Sequence, residues 1–209
     1  MTGPSIAFLV FDGLTPLDFV GPFEVLCRIP GATTLIVSPS GGDIAAAGGR
    51  LRIGADAALA EVEAADVLVV PGGPGARTLM TDATVTAWVA KIAATARFTA
   101  SVCTGALILG GAGLLNGREA ATHWAARPLL RQLGAVPVAR RIVDHGNLFT
   151  AAGVSAGIDL ALLLAARIAG ADIARAIQLR IEYDPQPPFD SGSAETADPR
   201  IRELAATVG

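Results

Sequence analysis

Residues 97–110 read Arg-Phe-Thr-Ala-Ser-Val-Cys-Thr-Gly-Ala-Leu-Ile-Leu-Gly. A short run with β character ends at Cys103, and an apolar helical run begins at Thr104. A strand that turns directly into a helix forces a tight backbone at the junction and directs the junction side chain past the carboxyl end of the sheet. The helix dipole and free N–H groups there favour the thiolate, which is the nucleophilic form. Most free cysteines are small buried hydrophobic residues, but this setting favours a reactive Cys103.

The chain on either side of this junction alternates between strands and helices. Strands are predicted at 6–11, 33–38, 67–70 and 98–102, with short strands or a hairpin within 44–58, a short strand at 119–122 and a hairpin at 142–150. Helices are predicted at 16–27, 82–96, 104–111, 125–133, 156–169, 173–181 and from 199 to the end, with an extended segment at 185–198. The alternation predicts an α/β fold in one domain, residues 1–209, with a mostly parallel sheet and helices on both faces.

The composition excludes several classes of protein. The 209 residues are 52% hydrophobic and 17% charged, which provides enough apolar material for a large core. A net charge of −3 does not indicate a nucleic-acid partner, and no apolar run is long enough to span a membrane. We expect a cytoplasmic protein, because the N-terminus shows no secretion signal and two cysteines make no disulfide framework. Neither cysteine has a metal-ligand partner at the usual spacing, so no metal site is predicted.

Three turns follow predicted strands, after Phe11, after Val70 and after Val102. Ligands of parallel α/β sheets bind beyond the carboxyl ends of the strands, so we expect these turns to converge on one site. The turn after Val70 contains Gly72 and Gly73, whose backbone can approach a ligand closely. Their N–H groups, with that of the residue after Cys103, could bind developing negative charge. A simple sharp turn is an equal alternative for this segment taken alone, whereas a phosphate-binding loop would need a Gly-Lys-Ser/Thr ending.

Asp18 follows the first of these turns and is the candidate acidic partner of Cys103. A protonated carboxyl could donate a hydrogen bond to the thiolate and later transfer its proton to a substrate atom, and burial beside an anion favours that form. The alternative is that Thr15 and Asp18 only form a capping pair at the start of the first helix. Glu24 is a competing acid, although it lies on a different helical face from Asp18.

His123 is the candidate general base, because cysteine nucleophiles are often paired with histidine. The alternative, which we favour slightly, is a partly buried residue beside Trp124 that only forms hydrogen bonds. If His123 does not reach Cys103, chemistry that needs a Cys–His pair becomes unfavourable. The one other histidine, His145, lies in a predicted turn.

Several segments together resemble the ThiJ/PfpI superfamily and, within it, the isonitrile hydratase (isocyanide hydratase) group. The matching segments are Phe-Asp-Gly at 11–13, Leu-Asp at 17–18, Gly-Pro-Phe-Glu-Val-Leu at 21–26, Val-Pro-Gly-Gly at 70–73, Ser-Val-Cys-Thr-Gly-Ala at 101–106, Ala-Gly-Leu-Leu-Asn-Gly at 112–117, Thr-His-Trp at 122–124, Gly-Val-Ser-Ala-Gly-Ile-Asp at 153–159, and Gln178 followed by Glu-Tyr and Pro-Pro-Phe at 182–189. The cysteine segment is shared with amidase-like domains of transcription regulators, while the segments at 17–26 and 182–189 are closer to the hydratases.

The resemblance implies a flavodoxin-like three-layer sandwich, a homodimer, and hydration of an isonitrile to an N-substituted formamide through a thioimidate, without a cofactor. It assigns Cys103 as the nucleophile and Asp18 as its acidic partner, with Thr104 and Gly73 around the site. The residues that could surround this centre are His123, Gly72 and Glu24. Many members have Glu where this chain has Asp18, which favours the hydratase branch. Residues 44–59 and the first helix are candidate dimer interfaces.

Two other readings are open at this point. Another cysteine-dependent enzyme of the same fold, such as a glyoxalase, a deglycase or a peptidase, could also use Cys103. The alternative that is not an enzyme is a redox or ligand sensor, because related regulators carry such a domain beside a helix-turn-helix extension. The chain ends at Gly209, where we expect no such extension.

Overall fold

A computed structural model describes residues 3–208 of the chain. The strands are β1 (Ser5–Leu9), β2 (Thr33–Ser38), β3 (Ile44–Ala45), β4 (Arg52–Ile53), β5 (Ala57–Ala58), β6 (Val67–Val70), β7 (Phe98–Val102), β8 (Glu119–Ala120), β9 (Val136–Pro137), β10 (Ile142–Asp144) and β11 (Leu148–Ala151). The α-helices are α1 (Pro16–Leu26), α2 (Ala76–Leu79), α3 (Ala83–Thr95), α4 (Gly105–Gly111), α5 (Arg127–Gln132), α6 (Ala156–Ala169), α7 (Ala171–Arg180) and α8 (Pro199–Ala205).

Seven strands form the central sheet, in the order β10-β11-β7-β6-β1-β2-β5. Every neighbouring pair is parallel except β10 and β11, which form an antiparallel hairpin at one edge. Helix α1 packs against α6, and α6 against α7, while α4 packs against α2, α3 and α5. These two groups of helices cover the sheet, so β6 and β7 are buried along their whole length. The fold is the flavodoxin-like α/β sandwich that the sequence predicts.

The three turns of interest are neighbours in space because β7, β6 and β1 are adjacent in the sheet. The register pairs Val70 with Ser101, and Phe8 with Val69, so the carboxyl ends of the three strands reach the same edge. The backbone joins the turns further, since Thr15 N–H donates to the Gly72 carbonyl over 2.9 Å. The predicted convergence is therefore confirmed for the backbone.

Most predicted elements are present, and the differences are local. The segment 44–58 contains the hairpin β3–β4, but β5 continues into the main sheet and pairs in parallel with β2. The short helix α2 was not predicted, because the glycine-rich turn before it hides its start. The last helix ends at Ala205 rather than at the chain end. In the described part of the chain, none of the helices is long and apolar enough to cross a membrane.

Candidate active site

Cys103 occupies a strained turn between β7 and α4. Its φ angle is +56°, in the left-handed region that residues other than glycine rarely adopt. The strain is held by the surrounding backbone, because Cys103 N–H donates to the carbonyls of Ala151 and Ala152, each over 3.1 Å. The Cys103 carbonyl accepts a 2.8 Å hydrogen bond from the Thr122 hydroxyl. Such a conformation costs about 1–3 kcal/mol and is kept where the surrounding structure fixes it, often at a functional site.

Two glycines let the turn after β6 pack directly on this junction. A Cβ added to Gly72 would lie 2.4 Å from the Thr104 amide nitrogen, and one added to Gly105 would lie 2.1 Å from the Val70 carbonyl oxygen. A side chain at either position would fit only if one turn moved away from the other, together with the strand that precedes it. The glycines therefore allow the close approach of two adjacent turns, which brings the groups of both turns to the same place.

Asp18 is fully buried near the start of α1, and its carboxyl faces this junction. Its Oδ2 accepts the Gly72 N–H over 3.0 Å. Its Oδ1 has no regular hydrogen bond to any described residue, and the Cys103 side chain lies beside the carboxyl. Thr15 occupies the N-cap position as predicted, with Pro16 at the first helical position, but its side chain makes no capping hydrogen bond. The capping alternative is therefore wrong for the side chain of Asp18.

Burial controls the protonation of this pair. Desolvation raises the pKa of Asp18 to about 6, although hydrogen bonds from Cys103 and from the Gly72 amide act in the opposite direction. Desolvation, followed by the negative charge of Asp18, raises the pKa of Cys103 to about 12. Between these two values the pair holds one proton. The expectation that the helix start would favour a resting thiolate is wrong, because the loss of water around Cys103, a residue that is only 5% exposed, outweighs the effect of the helix start.

The sulfur has two backbone donors. The N–H groups of Thr104 and Val154 both act to lower the pKa of Cys103. Thr104 was a candidate from the sequence, whereas Val154 was not. Val154 lies between β11 and α6, about fifty residues beyond the cysteine, so only the parallel pairing of β11 with β7 brings it here. The segment Gly153-Val154-Ser155 carries the family resemblance, which is the one sequence signal that could have identified it.

Gly73 does not present the free N–H that the sequence predicts. Its amide donates to the Thr104 hydroxyl over 2.7 Å, and that hydroxyl donates back to the Gly73 carbonyl over 3.0 Å. The φ angle of Gly73 is +137° and an added Cβ would meet the Gly13 carbonyl at 2.4 Å, so the residue fits only as glycine. Gly73 thus fixes the Thr104 side chain and leaves the Thr104 amide directed at the sulfur.

The other two candidates lie outside the cysteine–aspartate contact. His123 is half-buried beside Trp124, with ring centroids 5.6 Å apart, and its pKa is lowered by burial and by Arg77 and Arg127. It is not among the groups that shift the pKa of Cys103. Glu24 is exposed and forms an ion pair with Arg28 at 2.5 Å. Within residues 3–208, no group of three acidic, histidine or cysteine side chains is placed to hold a metal ion.

A pocket of about 410 Å³ opens above the junction. Thr122, Ala152 and Val154 line it, and each of them contacts Cys103 through the bonds described above. Leu17, the neighbour of Asp18, lines it too. The remaining wall is polar and includes three arginines, of which Arg127 lies closest in sequence to His123. Neither Cys103 nor Asp18 itself lines the pocket, but its wall includes residues bonded to Cys103, so a small molecule bound there would lie beside the buried pair.

The chain belongs to the DJ-1/PfpI family, whose model matches residues 4–167. It is 45% identical to the isonitrile hydratase of Pseudomonas putida over 96% of this chain and 88% of that protein. It is also 29% identical to the HTH-type transcriptional regulator GbdR of Pseudomonas aeruginosa, over 98% of this chain but 59% of the regulator.

Solved structures agree with this assignment. A ThiJ/PfpI family protein from Pseudomonas syringae superimposes with a TM-score of 0.93 at 39% identity, covering 99% of this chain and 88% of that one. Drosophila melanogaster DJ-1beta superimposes with a TM-score of 0.79 at 22% identity, covering 87% of this chain and 98% of that one, which shows the fold. The resemblance drawn from the sequence motifs is thereby confirmed.

We expect the substitution Asp18→Asn to stabilise the folded protein at about pH 8. The pKa of Asp18 rises from 3.8 to about 6 on folding. The stability contributed by the protonated group is complete below 3.8 and is lost as the pH rises through about 6. Asparagine stays neutral at every pH, so the variant does not lose stability through ionisation at this position. Urea unfolding should show that the substitution raises the free energy of unfolding by about 1–3 kcal/mol at about pH 8, and that this difference disappears near about pH 3.5.

Asp66→Asn is the control with the opposite sign. The Ser5 amide and hydroxyl donate to Asp66 over 2.8 and 2.9 Å and hold its pKa below the usual range. This carboxylate stabilises the fold above its unfolded-state pKa, so its removal lowers stability at about pH 8 and has little effect at low pH. An Asp18→Asn variant that follows the pattern of Asp66→Asn would contradict a raised pKa at Asp18.

Proposed function

We propose that the protein hydrates an isonitrile, R–N≡C, to an N-substituted formamide, R–NH–CHO, with Cys103 as the nucleophile and Asp18 as the proton carrier. The observation that carries the proposal is the buried contact between the Cys103 side chain and the Asp18 carboxyl. The 45% identity to an isonitrile hydratase, over nearly the whole chain, supports this substrate class.

The first step follows from the single proton that the pair holds. In the resting state the thiol carries the proton and Asp18 is ionised, since the pKa of Cys103 lies far above that of Asp18. As the sulfur attacks the terminal carbon of the isonitrile, the thiol proton passes to Asp18. Asp18 then delivers it to the same carbon. One S–C bond and one C–H bond form, and the product is a thioimidate, R–N=CH–S–Cys103.

The second step consumes water. A water molecule adds to the thioimidate carbon, one of its protons goes to nitrogen and the C–S bond breaks. The formamide leaves, and the remaining proton returns to the sulfur to restore the thiol beside the Asp18 carboxylate. Asp18 is placed to accept and return this proton because the Cys103 side chain lies beside its carboxyl and its Oδ1 has no regular hydrogen bond among the described residues.

The remaining groups act on the sulfur as its charge changes. The N–H groups of Thr104 and Val154 stabilise negative charge on sulfur while the thiol proton is on Asp18. The bond between Gly72 N–H and Asp18 Oδ2 orients the carboxyl. A histidine base is unnecessary in this scheme, which agrees with the position of His123. The narrow, linear N≡C group suits a nucleophile on a residue that is only 5% exposed.

The proposed function predicts the behaviour of three variants with an alkyl and an aryl isonitrile. Cys103→Ala should abolish formamide production, measured by chromatography of the product. Asp18→Asn should lower kcat by about a hundredfold to ten-thousandfold, because it removes the proton carrier but leaves the thiol in place. Asp18→Glu should retain part of the activity. Glu24→Gln is the matched control on the same helix, and it should leave turnover unchanged because Glu24 is exposed and paired with Arg28.

The opposite results would identify the rival activities. Full turnover by Cys103→Ala would end the proposal, and unchanged turnover by Asp18→Asn would remove Asp18 from the mechanism. Conversion of methylglyoxal without conversion of isonitriles would favour a glyoxalase of the same fold. Binding or stoichiometric oxidation of Cys103 without turnover would favour a sensor, the reading that the similarity to a regulator supports.

We also propose that the whole chain forms one domain that acts as a cytoplasmic homodimer. One seven-stranded sheet runs through the fold beside two small two-stranded sheets, and one hydrophobic cluster joins residues between Ile6 and Ile181, which supports a single domain. Leu17 and Val20 on α1 are each 42% exposed, and with Ile158 of α6 they form an apolar surface suited to a second copy. The cysteines, Cys27 and Cys103, are both free, as expected in a reducing compartment.

Val20→Glu tests this interface. A buried charge without a partner opposes association, so the variant should sediment as a monomer where the wild type sediments as a dimer. The outcome is read by sedimentation velocity over a range of protein concentrations. A monomeric wild type, or a variant that remains dimeric, would contradict the proposed interface.

A further inference from the structure

Part of the C-terminal segment lines the pocket beside Cys103. We call residues 191–197 the strap. Gly192, Ser193, Ala194 and Glu195 line the pocket, facing a wall that comes from residues 122–127 and 139–141. Gly192 and Ala194 also border a second, smaller pocket of about 70 Å³ that is shared with α8. The strap therefore forms part of the surface that a bound molecule would touch.

The strap has its own folded shape. The carbonyl of Ser193 accepts the Ala197 N–H over 2.8 Å. The Ser193 hydroxyl donates to Glu195 Oε2 over 2.8 Å and fixes the direction of that side chain. The strap is thus a preformed turn that presents Glu195 to the body of the protein.

One contact holds the strap to that body. Among the described residues, the ion pair between Arg127 and Glu195 is the single hydrogen-bonded link from residues 187–208 to the rest of the chain. Arg127 is the first residue of α5 and follows the segment that contains Thr122 and His123. Helix α8, which follows the strap, buries none of its residues. The position of the strap therefore depends on this pair.

The chemistry of the pair suits a contact that opens and closes. The hydrogen bond from Arg127 lowers the pKa of Glu195, so the carboxylate stays charged at neutral pH. The side chains are 25% and 42% exposed. Exposed ion pairs are weak and are screened by salt. A strap held in this way can release a product and close again, while it still limits the space above the sulfur when closed.

We propose that the strap, held by Arg127 and Glu195, determines which R groups of an isonitrile the pocket accepts. The inference rests on the proposed function and extends it to the choice of substrate. Three of the strap residues in the wall, Gly192, Ser193 and Ala194, are small, so the closed strap leaves room for a compact R group above Cys103. A bulky R group requires the strap to move.

Two strap variants test the proposal by opposite effects. Glu195→Gln removes the negative charge that pairs with Arg127 and changes the shape of the side chain little. It should therefore raise kcat/KM for a bulky aryl isonitrile relative to a small alkyl isonitrile by about two- to fivefold. Ala194→Leu enlarges the wall and should lower the same ratio. Glu119→Gln is the control: it removes the ion pair with Arg140, a more exposed pair at the pocket rim, and should leave the ratio unchanged.

A second readout does not depend on isonitrile chemistry. In a Cys27→Ser background, the rate of Cys103 alkylation is measured with iodoacetamide and with N-phenylmaleimide. Glu195→Gln should raise the rate with the larger reagent more than the rate with the smaller one. Altered alkylation ratios in a protein that converts no isonitrile would support the strap and end the proposed function. Isonitrile and alkylation ratios that are unchanged in both strap variants, or that change equally in Glu119→Gln, would overturn the role of the strap.

Discussion

The site depends on the burial of a thiol and a carboxyl against each other. Cys103 follows β7 and Asp18 lies on the helix after β1, with β6 between the two strands, and the fold removes both groups from water. Neither group can carry its charge easily there, so the pair keeps one proton over a wide range of pH. Burial disfavours the ionised form of both groups, so the one proton is shared between them and can be transferred to a substrate. The rest of the site serves to maintain this contact.

Maintaining the contact has a cost in stability that the sheet offsets. Cys103 adopts a left-handed backbone conformation, and a fully buried carboxyl has one oxygen without a regular hydrogen bond. The strands β6 and β7 beneath them are buried from end to end and anchor the turns. Glycines at 72 and 105 allow those turns to approach more closely than any other residue would. The strain is thus concentrated at the one place where the proposed chemistry occurs.

The local features of the site and one long-range contact, between Cys103 and Asp18, could be predicted from the sequence, whereas its other long-range contacts could not. The junction at Cys103 was visible because a strand run meets a helical run without a linker, and the approach of Asp18 followed from the expectation that the turns after parallel strands converge. Val154 and the pair Arg127–Glu195 depend on distances across the fold that no local pattern encodes. The protonation of the thiol was predicted with the wrong sign, because the helix start is visible in a sequence and the depth of burial is not.

The state of the shared proton is the central claim, and carbon-13 NMR of the Asp18 carboxyl tests it most directly. With aspartate labelled at the carboxyl carbon, the resonance that is missing in an Asp18→Asn sample is the one to follow during titration. We expect the pH titration of this resonance in the wild type to have its midpoint near 6. A midpoint at or below the ordinary aspartate value of 3.8 would show that burial does not disfavour the ionised carboxyl, and it would contradict the shared proton.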